Sequence, residues 1–169
     1  MTEIRLVGRA AASDRPLYLV RIADVDDQPT CLPEGVRPFV VFTALDARRV
    51  SDERLKSFAR TWLDFGCAWS CSWGPGSERV EFAFDQAEIA IEPFVTPWFT
   101  DSLCVTTSHE TESLDDALWF AVFGTSPSYG KYGALFAVAE KEWADEIEAR
   151  LADSETWSAK VLTEEEKGV

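Results

Sequence analysis

CAWSCSWGPGSER, residues 67 to 79, reads as a strand that breaks at Trp73-Gly74 into a tight loop and reopens as a helix. Side chains alternate along a strand, so Cys67, Trp69, Cys71 and Trp73 are expected on one face and Ala68, Ser70 and Ser72 on the other. The small face lets a helix approach closely, and the bulky face fills a thick layer of core. At ~3.3 Å per residue Cys67 and Cys71 lie about 13 Å apart, too far for a disulfide. Beyond Ser77, the apolar residues Val80, Ala83, Phe84, Ala87 and Ile91 share one helical face until Pro93 stops the helix.

The same order of strand, polar loop and helix returns at residues 102–119, SLCVTTSHETESLDDALW, with the only histidine of the chain, His109, at the far end of a strand over Leu103–Thr107. Ser113 and Asp116 have capping-box spacing, and Leu114, Ala117, Leu118, Ala121 and Val122 form the buried face that follows. Upstream, Phe39–Ala44 is an unbroken apolar run suited to a strand covered on both faces. Ser51 caps a helix with Leu55, Phe58, Ala59, Trp62 and Leu63 on one side, and Gly66 closes it. Downstream, Gly124–Gly133 reads as loop, Ala134–Ala139 as a fourth strand, and Trp143, Ile147 and Leu151 mark a helix. Leu17–Ile22 is an added strand at an edge, and Pro93–Asp101 is an aromatic connection carrying Phe94, Trp98 and Phe99.

Four alternations of strand and helix imply an α/β fold: an open, mainly parallel sheet of four to five strands with helices on both faces, a flavodoxin-like or Rossmann-like three-layer sandwich. Counting from the Phe39 strand, the expected order is 2-1-3-4. Residues 1–16 read as an arm that adds an edge strand, 17–152 as one α/β domain, and 153–169 as an acidic tail. That tail is anchored by Trp157, Val161 and Leu162 and expected to be disordered from Glu164.

With 46% hydrophobic and 12% aromatic residues, the 169-residue chain has ample material for a single core. Sixteen basic against thirty acidic residues give a net charge of −14, which opposes nucleic-acid binding and favours a basic protein as partner. No stretch reaches the roughly 18 apolar residues of a membrane span, and Met1–Ala12 has no signal-peptide core, so a cytoplasmic protein is expected. Cys31, Cys67, Cys71 and Cys104 show no scaffold or zinc spacing and read as reduced thiols. Asp24, Asp26 and Asp27 lack the glycine and distal glutamate of a calcium loop and read as a solvated turn. No cofactor fingerprint is found.

Gly66-Cys67, Trp73-Gly74-Pro75 with Glu78-Arg79, and Thr106-Thr107 with His109, Glu112 and Leu118-Trp119-Phe120 together resemble a family of small, uncharacterised bacterial proteins, over Phe39 to Glu140. In that family's pattern a Trp precedes the His, whereas Ser108 stands there in this chain. The resemblance implies a bacterial, cytoplasmic α/β domain and brings no reaction with it.

Ligands of open parallel sheets bind beyond the carboxyl ends of the strands. That rule gathers Asp46, Trp73, Gly74, Gly76, Ser77, Glu78, Arg79, His109, Glu110 and Glu112. A phosphate cradle at Gly74–Ser77 is opposed by Pro75, which has no N–H, by the lack of a P-loop lysine, and by Glu78 at the positive helix end. His109 reads as a general acid or base with Glu112, or more plainly as a loop residue bonded to the next helix; Ser108, Ser77 and Cys71 are the nucleophiles within inferred reach. A metal on His109, Glu112 and Asp46 has no recognised spacing, and Arg79 either pairs with a carboxylate or holds an anion. Any small ligand is expected at Trp73, Gly74, Gly76, Ser77, Arg79, His109 and Glu110. The favoured function is a non-enzymatic protein-binding module of immunity or antitoxin type, and the alternative is a small enzyme or ligand-binding protein around His109 and Arg79.

Overall fold

The computed structural model describes residues 2–89 and 103–168. Six strands, β1 (Ile4–Arg9), β2 (Pro16–Ile22), β3 (Phe39–Ala44), β4 (Cys67–Trp73), β5 (Val105–Ser108) and β6 (Leu135–Glu140), form one sheet in the order β1-β2-β6-β3-β4-β5. β1 runs antiparallel to β2 and every other pairing is parallel. Five α-helices among the described residues accompany it: α1 (Asp52–Phe65), α2 (Ser77–Ile89), α3 (Leu114–Trp119), α4 (Lys141–Ala152) and α5 (Ser154–Lys167). The three-layer α/β architecture is as expected, with one strand more than the upper count.

The strand order differs from the 2-1-3-4 expectation. β6 is buried along Leu135–Ala139 and sits beside β3, whereas β5, with only hydroxyl residues after a part-exposed Val105, lies at the edge. Central strands are covered on both faces and so must be apolar on both; LFAVA satisfies that and VTTS does not. Leu17–Ile22 is likewise interior, because the N-terminal arm supplies β1 as the true edge. β1 carries a register shift at Leu6/Gly8, a device that blunts edge pairing.

One core layer lies between the sheet and α1 with α2. Here Val20, Phe39, Val41 and Phe136 meet Phe58, Trp62 and Phe84. Trp62 is fully buried, with ring centroids 6.1 Å from Phe39 and 5.8 Å from Phe136; burying such a side chain contributes about 3 kcal/mol. α1 begins where Ser51 accepts from the Arg54 N–H and ends at Gly66 with φ 107°. The opposite layer packs Leu19, Val40, Phe42 and Leu135 against Leu118, Ile147 and Leu151 of α3 and α4 and Trp157 of α5.

β4 does not keep a strict period of two. Phe39 pairs with Cys67 but Val40 pairs with Trp69, so Ala68 is an inserted residue. The bulge turns Cys67 into the α1/α2 layer while Cys71, Trp69 and Trp73 pack in the other, correcting the reading that put all four on one face. Cys67 Sγ thereby lies 3.9 Å from Cys104 Sγ, two unlinked thiols.

Past Asp153 the chain is helical to Lys167, which corrects the expected disorder from Glu164. Trp157 and Val161, one turn apart, are buried, and the good helix formers that follow extend the helix cooperatively. Ile91, Pro93, Phe94, Trp98 and Phe99 lie outside the described residues. Among the described residues no helix is long and apolar enough to cross a membrane.

Candidate functional site

The loop after β4 folds back on the turn after β3. Gly74 has φ 102°, and a Cβ there would meet Leu45 O at 2.8 Å; Gly76 has φ 78°, and its Cβ would meet Arg48 N at 3.1 Å. Both positions therefore require glycine on conformation and on space. The Ala47 N–H donates to Pro75 O at 2.9 Å, fixing the approach. Arg79, from the first turn of α2, donates to the carbonyls of Ala47 and Val50, the latter at 2.7 Å, and to Asp52 Oδ1 at 2.6 Å. Its guanidinium satisfies the end of a short 3-10 turn, Ala47–Arg49.

The positive end of α2 holds a carboxylate of the chain itself. Glu110, from the loop after β5, accepts from the Gly76 N–H at 3.1 Å through Oε1. Glu78 stands in the first turn of α2 as expected, so a second, exposed carboxylate shares that end. Ser77 is fully buried, and its hydroxyl has no partner among the described residues. Asp46 is engaged by Arg48, whose guanidinium holds its carboxyl down at about 2.

His109 is 7% exposed. Its N–H donates to Ser72 O at 2.8 Å, carrying the pairing of β5 with β4 one residue past the strand. Nδ1 lies 2.8 Å from Glu112 Oε2 and Nε2 lies 3.0 Å from Thr107 Oγ1. An ionised carboxylate only accepts, so a neutral ring carries its hydrogen on Nδ1 and presents Nε2 as an acceptor to the Thr107 hydroxyl, whose other acceptor within reach is Ser70 O at 3.5 Å. The ring packs on Phe120, centroids 5.1 Å apart, and Phe120 in turn lies 5.9 Å from Trp69. Phe120 opens a π-helical turn, Phe120–Gly124, that carries the expected buried residues Ala121 and Val122 and ends where the expected loop begins.

Trp73, Gly74, Gly76, Ser77, Glu110, His109 and Glu112 thus gather at the carboxyl ends of β4 and β5, joined by the Glu110–Gly76 bond and by Trp73 Nε1 donating to Glu112 O at 2.9 Å. Of the proposed nucleophiles, Cys71 is disabled by burial, which pushes its thiol up to about 12. The hydroxyl bonded to His109 is that of Thr107, a residue outside the expected site. A strand period of two continued past Ser108 puts residues 107 and 109 on one face, and that was the available signal. Among the described residues no three His, Cys, Asp or Glu side chains converge as a metal site.

The chain belongs to the family described as Domain of unknown function (DUF7684), whose model matches residues 17–154. No curated protein and no solved structure matches it.

Proposed function

We propose that this member of the family is a non-enzymatic protein-binding module, the acidic partner of a basic protein in the manner of an immunity or antitoxin factor, working in the bacterial cytoplasm. The observation that carries the reading is how the charges are disposed. Among the described residues, at least eight of the eleven arginines lie in ion pairs with carboxylates of the same chain. Those guanidiniums are neutralised locally, and the net charge of −14 leaves an excess of acid; such a field steers a basic partner and selects against an acidic one.

Affinity capture on the full chain, followed by binding kinetics of the captured protein across a salt series, tests this. A basic protein whose association slows steeply with salt, while its dissociation changes little, supports the module. Recovery of no protein partner at low salt removes it.

The connectivity Thr107–His109–Glu112 favours a second reading, an acyl-transfer enzyme. Thr107 Oγ1 would attack an ester carbonyl while His109 Nε2 takes its proton, with Glu112 on Nδ1 holding the tautomer; the leaving alkoxide would regain that proton, and water would then release the acid. p-Nitrophenyl ester turnover that disappears in Thr107→Ala, in a variant unfolding at the wild-type urea midpoint, selects this reading. Unchanged background hydrolysis in that variant removes it.

A further inference from the structure

We propose that the groove between α1 and α2 is the docking surface for the basic partner, receiving an apolar side chain flanked by lysines or arginines. This rests on the protein-binding reading above. The groove has a volume of about 270 Å³ and is lined by the apolar Leu55, Phe82 and Ala83 and by two carboxylates and two cations, Asp52, Glu53, Lys56 and Arg79. That is below the roughly 300–1,000 Å³ of pockets that enclose small molecules, and suited to one or two inserted side chains.

Phe82 is the residue that makes the groove informative. α2 already buries Val80, Ala83, Phe84 and Ala87 toward the sheet, so its core-facing stripe is complete without it. Phe82 is instead 62% exposed. An aromatic ring left in water on a groove wall offers apolar area at little conformational cost, which is the make-up of a binding hot spot.

The charge around it selects the occupant. Glu53 lines the groove, Glu78 lies one turn before Phe82, and Glu81 adjoins it; none of the three has an ion-pair partner among the described residues. Asp52 is paired with Arg79, whose guanidinium is already bonded to the carbonyls of Ala47 and Val50. Lys56 is then the one groove cation without an ion pair among the described residues. An apolar anchor with cations on either side places its anchor against Phe82 and its charges against Glu53, Glu78 and Glu81, whereas an acidic segment meets repulsion there.

The test uses the full chain and a fluorescein-labelled amphipathic Leu/Lys helical peptide, with a Leu/Glu peptide and a Ser/Lys peptide as controls. Anisotropy should show binding of Leu/Lys alone, weakened about tenfold or more by Phe82→Ser and less steeply salt-dependent in the Glu53→Gln, Glu81→Gln pair. Hydrogen-exchange protection should fall on α1 and α2, and Phe82→Ser should unfold at the wild-type urea midpoint. Equal binding by wild type and Phe82→Ser, or protection confined to α3, α4 and α5, overturns the docking site and leaves the basic-partner reading standing. Absence of binding to either Lys peptide at low salt overturns both. Wild-type self-association in sedimentation that Phe82→Ser abolishes makes the occupant a second copy and overturns the basic partner.

Discussion

At the scale of single residues, His109 is the position on which the two functional readings part. Both its ring nitrogens are bonded, its N–H extends the β5 pairing, and its ring packs on Phe120. Removing the ring leaves the Thr107 hydroxyl without its nearest partner, so His109→Ala should destabilise the fold by about 1–3 kcal/mol. A lowered urea midpoint with an unchanged slope is the expected result. A variant as stable as the wild type but lacking an activity would instead mark the ring as chemical machinery. The lone histidine was legible as a site marker because it stands at a strand end. Its partner hydroxyl was not, because the strand was expected to stop at Thr107 and so gave no face to share.

Among the elements, α5 depends on contacts that come from two other helices. Trp157 Nε1 donates to Asp115 Oδ1 at 2.7 Å, and the same carboxylate accepts from Arg150 Nε at 2.7 Å, so one side chain of α3 joins α4 and α5. Arg150 first, and Trp157 after it, hold the Asp115 carboxyl below its ordinary value. Trp157→Phe keeps an aromatic ring in place and deletes the N–H. It should cost about 1.5–3 kcal/mol, the scale of a hydrogen bond to a charged acceptor, read as a lower urea midpoint with far-UV helix signal retained. The sequence after Asp153 reads as an acidic tail anchored by Trp157, Val161 and Leu162 and disordered from Glu164, and it has no means of showing that Asp115 waits on a neighbouring helix.

For the whole molecule, a net charge of −14 makes each partly buried carboxyl a test of the balance between folding and ionisation. Glu140, at the end of β6, is raised above 4.5, chiefly by burial and then by Asp46, Glu142 and Asp24, although the Asp46 N–H donates to it at 3.0 Å. A folded value above the unfolded one means that its contribution is fully present below 4.5 and lost as pH rises through the folded value. Glu140→Gln keeps an acceptor for the Asp46 N–H and removes the charge. Urea unfolding should therefore find the variant more stable than wild type at neutral pH, by less than about 1 kcal/mol because solvent screens the site, and the difference should vanish below 4.5. A difference that grows on acidification would show the charge to be favourable in the fold.

The sequence alone determined the three-layer α/β class, the caps at Ser51 and Gly66 and the buried faces of α1 and α3, because helical and strand periods are local properties of a dozen residues. It also located the loops at Gly74–Ser77 and His109–Glu112, since glycines and a lone histidine at strand ends are visible in one dimension. Tertiary structure decided the strand order, the bulge at Ala68, the placing of Glu110 on the α2 N-terminus and the exposure of Phe82. Each of those depends on which distant segment lies alongside. A parallel sheet fixes its order by competition among strands for the most fully covered positions, and no strand carries the identity of its neighbour in its own residues.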